Sequence, residues 1–140
     1  MSYYLDANVL VALLTPDPLS ARAEAFLSTG AQGFFVSDFA ATEFVSVVGR
    51  RIRTLEITLA DGRIALANLD AWMARAAQRV EIGTADVAVA DAYLRRLDLT
   101  LLTPDALHIA IAGRIGAALV TFDRQMAASA RTLKLEVTDA

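Results

Sequence analysis

Short apolar runs rich in aromatic and β-branched residues alternate along this chain with longer segments of helical periodicity, and that alternation restricts the fold more than any other feature. Tyr3–Asp6, Gly33–Ser37, Val80–Ile82, Ala117–Phe122 and Leu135–Val137 read as strands. Between them, helices are expected over Asn8–Leu14, Leu19–Ser28, Phe39–Arg51 and Thr58–Arg79. A further helix follows Thr84, where Val87, Ala90, Leu94 and Leu97 recur every three or four residues, and the last covers Arg124–Leu133. Local signals mark several ends. Thr15-Pro16-Asp17-Pro18 cannot continue a helix, Ser37 or Asp38 caps the one after Gly33–Ser37, and Thr103-Pro104 opens one that runs to Gly113 or Ile115. Strands separated by helices return by crossover rather than by hairpin, so they pair in parallel. The expected fold is a three-layer α/β domain, a central parallel β-sheet with helices on both faces.

In such a sheet the strand C-termini gather along one edge, where these folds place their ligands. Four acidic residues fall where an apolar run ends or a helix begins. Asp6 closes the first run, Asp123 follows Ala118-Leu119-Val120-Thr121-Phe122, Asp105 follows Thr103-Pro104, and Glu43 lies one turn into the helix after Phe34-Phe35-Val36. Taken singly, Asp6, Asp105 and Asp123 are also good residues for helix starts. Glu43 is harder to place without a partner. Phe39 and Val47 flank it at four residues, and Arg50 and Arg51 are nearly two turns away, so no local cation reaches it. Carboxylates drawn to one edge repel unless a cation joins them, and a hard divalent metal with oxygen ligands resolves this most simply.

Composition narrows the metal. With no cysteine there is no thiolate site, and a single histidine, His108, excludes a poly-histidine one. Oxygen ligands favour magnesium or manganese over zinc. His108 itself reads as a structural residue bonded to Asp105 or to backbone, Asn8 as a residue that orients Asp6 or belongs to the turn, and Trp72 as core or interface. The 140 residues predict one domain spanning 1–140. No basic segment followed by an apolar stretch opens the chain, and its apolar runs are too short to span a bilayer, so a cytoplasmic protein without membrane association is expected. A net charge of −3 argues against holding nucleic acid by bulk electrostatics, although metal-binding carboxylates inflate that count.

Tyr4-Leu5-Asp6-Ala7-Asn8-Val9-Leu10, Glu43, Pro104-Asp105-Ala106-Leu107-His108-Ile109-Ala110 and Val120-Thr121-Phe122-Asp123 together resemble the PIN domain. More narrowly they are similar to the VapC-type toxins of bacterial toxin–antitoxin pairs. The resemblance runs from Asp6 to Asp123 in the family's order, and Ala7 departs from it where threonine or serine is frequent. It implies a PIN-like three-layer fold and a magnesium- or manganese-dependent endoribonuclease. In that reading Asp6 and Asp105 ligate the metal directly, Asp123 binds a second ion or a water, and Glu43 ligates or orients the nucleophilic water. It also implies a cognate, VapB-like antitoxin that blocks the acidic pocket, an RNA substrate and a homodimer. Arg50, Arg51 and Arg53 are candidates for a phosphate-tracking rim.

Other acidic α/β sites fit less well. A haloacid dehalogenase-type phosphatase needs a second aspartate where Asn8 stands, and a receiver domain needs an aspartate ending its third strand and a lysine near the last, whereas the one lysine is Lys134. Two alternatives stay open: a non-catalytic PIN-like binding module, and a PIN nuclease acting on DNA.

Overall fold

The computed structural model describes residues 1–140. Five strands, β1 (Tyr3–Leu5), β2 (Phe34–Ser37), β3 (Ala77–Val80), β4 (Ala118–Val120) and β5 (Val137–Thr138), form one sheet in the order β3-β2-β1-β4-β5. Every neighbouring pair is parallel. Seven helices connect them: α1 (Ala7–Leu14), α2 (Ser20–Ser28), α3 (Asp38–Arg53), α4 (Leu59–Ala76), α5 (Thr84–Arg95), α6 (Thr103–Ile115) and α7 (Arg124–Thr132). This is the expected three-layer α/β arrangement.

Strand side chains alternate between faces, and the two cores follow that period. Tyr4 and Leu119 pack on one face with Ile109, Ile111 and Met126, while Leu5 and Val120 pack on the other with Leu10, Phe44 and Trp72. Trp72 is therefore core. Burial on both faces explains why β1 and β4 carry no polar alternation. The chain builds outward from β1 to β2 and β3, then returns to place β4 on the opposite side of β1. The strand order reverses between β1 and β4, and the ends of these two strands flank the crevice.

Helix ends match their local chemistry. Ser37 accepts the Ala40 N–H at 2.9 Å, and Thr58 and Asp61 cap α4 reciprocally. Gly116 ends α6 with φ +68°, where a side chain would strain the backbone. Buried Asp86 accepts Nε and Nη2 of Arg114 at 2.7 and 3.0 Å and the Gly83 N–H at 2.9 Å, tying the start of α5 to α6.

Three expected boundaries move. The helix expected to run to Arg79 stops at Ala76, and β3 is Ala77–Val80 rather than Val80–Ile82, because β2 captures those residues in register from Phe34↔Ala77 to Ser37↔Val80. β5 begins at Val137, not Leu135: the Leu135 N–H still bonds to Ala130 and Lys134 has φ +64°, so the chain is leaving α7 there. Thr103 is already helical, with Leu102 in the cap position, and Lys134 lies beyond α7.

Candidate metal centre

Asp6 leaves β1 at the crevice and caps α1. Its N–H donates to the Val120 carbonyl at 3.0 Å, Oδ1 accepts the Ala7 N–H at 2.7 Å, and Oδ2 accepts the Thr121 hydroxyl at 2.7 Å. Thr121 Oγ1 in turn accepts Asn8 Nδ2 at 3.1 Å and the Asp123 N–H at 3.0 Å. Asn8 Oδ1 accepts the Phe122 N–H at 3.2 Å. Asn8 thus orients Asp6 through Thr121, and the ends of β1 and β4 are locked together by side chains.

Glu43 faces the same crevice from α3, and its partner is His108 on α6. His108 Nε2 hydrogen-bonds Glu43 Oε1 and lies 3.4 Å from Asp6 Oδ1. Its other nitrogen, Nδ1, is 2.6 Å from the Tyr4 hydroxyl, which is 2.7 Å from Ser37 Oγ. This corrects the expectation that His108 bonds to Asp105 or backbone. It also answers the question posed by Glu43: its missing partner is 65 residues away in sequence. Burial pushes the His108 imidazole down, but the Glu43 hydrogen bond and the charges of Asp6, Glu43 and Asp105 outweigh it and raise its pKa. As an imidazolium, His108 donates from Nδ1 to Tyr4 and from Nε2 to Glu43. Burial, with added repulsion from Asp6 and Glu43, raises the Tyr4 pKa and keeps that phenol neutral.

The ligating atoms of Asp6, Glu43 and His108 lie within 4.8 Å of one another. Asp105 and Asp123 stand outside that closest group but on its border. Asp105 Oδ2 accepts the Leu102 N–H at 3.0 Å, and Asp123 Oδ1 accepts the Gln125 and Met126 N–H groups at 2.9 and 3.1 Å, which leaves each a second oxygen. Burial raises the Asp105 pKa, and the charges of Asp123 and Glu43 raise it further. Burial likewise pushes the Asp6 carboxyl up, against His108 and Thr121, which pull it down. Both acids are short of positive charge.

The donor set suits a hard divalent cation. Two carboxylates and one nitrogen converge with two further acids on the border, no thiolate is present, and the raised pKa values of Asp6 and Asp105 fit a site that a cation would relieve. Sequence reasoning passed over His108, Tyr4 and Ser37 as parts of the site. The available signal was the three-residue spacing of Asp105 and His108, which puts both on one face of α6.

A parallel α/β domain with an acidic cluster at its topological switch point defines a class of metal-assisted site. Within that class the family model of the PIN domain matches residues 3–131, and the chain belongs to the PIN domain family. Solved structures share its fold. The Mycobacterium tuberculosis toxin VapC20, described as cleaving the sarcin–ricin loop, superposes with a TM-score of 0.75 at 18% identity, over 91% of this chain and 95% of that one. VapBC2 of Rickettsia felis, bound to a fragment of promoter DNA, gives 0.73 at 17% identity over 99% and 98%. DNA-bound VapBC of Salmonella typhimurium gives 0.70 at 20% identity over 99% and 98%. No curated protein sequence matches the chain.

Proposed function

We propose that this chain is a metal-dependent endoribonuclease, the VapC-type toxin of a toxin–antitoxin pair, working at Asp6, Glu43, Asp105 and Asp123. The observation that carries the reading is the convergence of Asp6, Glu43 and His108 at the switch point, with Asp105 and Asp123 bordering it. Membership of the PIN family and the shared fold with VapC and VapBC structures support it.

Asp6 and Asp105 hold magnesium or manganese in this reading, and Asp123 and Glu43 complete the oxygen set. When bound, such an ion supplies positive charge to a phosphate oxygen and acidity to an attacking water. The chain's own groups do the rest. Glu43 accepts a proton from that water or fixes its direction, and His108 holds the Glu43 carboxylate in place through Nε2. Tyr4 fixes the rotation of His108 through Nδ1, so that Nε2 faces the acids. Thr121 pins Asp6 against rotation.

A cognate, VapB-like antitoxin is the expected protein partner, and the reading includes a homodimer and a cytoplasmic location. Exposed Val87 and Val89 on α5 are apolar surface that a second protein chain can cover. No helix is long and apolar enough to cross a membrane.

The test is incubation of the purified chain with labelled single-stranded RNA and a DNA of the same sequence, in manganese, magnesium or chelator. RNA cleavage that requires metal and disappears in Asp6→Asn and Asp105→Asn is the expected result. Cleavage of the DNA alone makes it a DNA nuclease. Neither strand cut across a broad panel, by folded protein that binds manganese, makes it a binding module.

A further inference from the structure

A second cavity opens beside the acidic cluster. Of about 330 Å³, it is lined by Arg22, Thr121, Phe122, Asp123, Arg124 and Arg131, among others. Thr121 and Asp123 belong to both places, so the two share a wall. We propose that this cleft seats the phosphate backbone of the single-stranded RNA next to the bond being cut, with Arg22 and Arg124 as its anion-binding groups. The identity of the ligand rests on the ribonuclease reading above.

Charge is the first argument. A polyanion entering a cluster of four carboxylates is repelled, so binding needs cations within about one Debye length, roughly 8–10 Å. Five of the chain's twelve arginines are committed elsewhere. Arg51, Arg79, Arg95, Arg96 and Arg114 form ion pairs with Asp17, Asp38, Asp91, Asp98 and Asp86. Within the cleft Arg131 is held by Asp139 at 2.9 Å. Arg124 has no carboxylate partner, Arg22 is held by the Ala140 oxygen, and Asp123, Asp139 and Ala140 line the cleft with them. The candidates Arg50, Arg51 and Arg53 lie at the far end of α3. At about 1.5 Å per residue, Arg51 is about 12 Å along the helix from Glu43, and it is spent on Asp17 and Thr15.

Rigidity is the second. Arg22 bonds the Ala140 carbonyl, and its guanidinium lies over the Phe122 ring, 5.1 Å from the centroid. Phe122 is fixed by its N–H bond to Asn8, and the next N–H is fixed by Thr121. The same two residues position Asp6, so the cationic platform is in register with the proposed metal centre. An arginine braced on an aromatic ring offers both a charge for phosphate and a flat face for a base.

The experiment uses a labelled mixed-sequence oligoribonucleotide and the full chain in an Asp105→Asn background with manganese, read by fluorescence anisotropy over a salt series. Arg22→Ala and Arg124→Ala are each expected to weaken binding roughly tenfold and to lower the slope of log affinity on log salt by about one. Arg22→Lys and Arg124→Lys keep the charge and should recover most of the loss, and Arg75→Ala on the outer face of α4 should bind like the parent. Parent-like binding by both alanine variants overturns the assignment and leaves the cleft to a protein partner. A parent that binds no RNA overturns it too. Cleavage by the unmutated chain is scored separately, so failure of the nuclease reading and failure of this cleft show up in different assays.

Discussion

Replacing Tyr4 by phenylalanine removes one oxygen from the interior and tests how the site is held. The Tyr4 side chain is fully buried, and its hydroxyl connects His108 Nδ1 at 2.6 Å to Ser37 Oγ at 2.7 Å. Ser37 keeps the Ala40 N–H after the change, but His108, 1% exposed, is left with a donor that water cannot reach. Stranding a buried polar group costs about 1–3 kcal/mol, and a charged donor belongs in the upper half of that range. Part is offset because the deleted hydroxyl no longer has to be desolvated, so about 2 kcal/mol is expected. At about 2.1 cal/mol/K per residue, unfolding 140 residues carries an entropy of about 0.3 kcal/mol/K, which converts the loss to a fall in melting temperature of about 7 °C. Urea unfolding should show the midpoint falling with the slope m unchanged. Tyr3→Phe, whose hydroxyl makes no such bonds, is the matched control. In a His108→Ala background the penalty should shrink by about 1 kcal/mol or more, since the stranded nitrogen is gone. A loss below about 0.5 kcal/mol, or one equal in both backgrounds, refutes the claim that Tyr4 holds His108.

Two further outcomes follow from the same network. The His108 pKa is raised above its usual 6.5, so its stabilisation is complete below about pH 6.5 and is lost as pH rises through the raised folded value. The chelator-treated protein should therefore melt lower at pH 9 than at pH 6; Glu43→Gln removes the hydrogen-bonded carboxylate that raises the His108 pKa and should flatten that profile. Arg114→Met leaves the buried Asp86 carboxylate with the Gly83 N–H alone; loss of a buried pair costs about 3–5 kcal/mol, but Arg114 is 42% exposed, so solvent screening reduces the expected loss to about 2 kcal/mol by urea unfolding.

The layer architecture was legible because β1, β2 and β4 are buried on both faces and read as continuous apolar runs. β3 was misplaced because Gln78 and Arg79 are exposed on an edge strand whose position is set by pairing with β2, a contact with no local signature. Asp6, Asp105 and Asp123 were visible from their places at element ends, and Glu43 from the lack of any neighbouring cation. Its partner was not visible. His108 meets Glu43, and Tyr4 meets His108, only once α3, α6 and β1 have packed, with 65 and 104 residues between the partners.

The strand order also governs when the proposed site can exist during synthesis. β1 is made first, yet one of its edges stays open until β4 arrives, and Asp6 waits for Thr121. At about 5–20 residues per second, the ribosome takes roughly 6–23 s to add the 115 or so residues between them. A chain released before residue 118 lacks β4, Thr121 and Asp123 together, so an aborted product carries Asp6, Glu43 and Asp105 without the frame that aligns them. The proposed site is therefore assembled only once residue 123 has been made, and shorter fragments lack it.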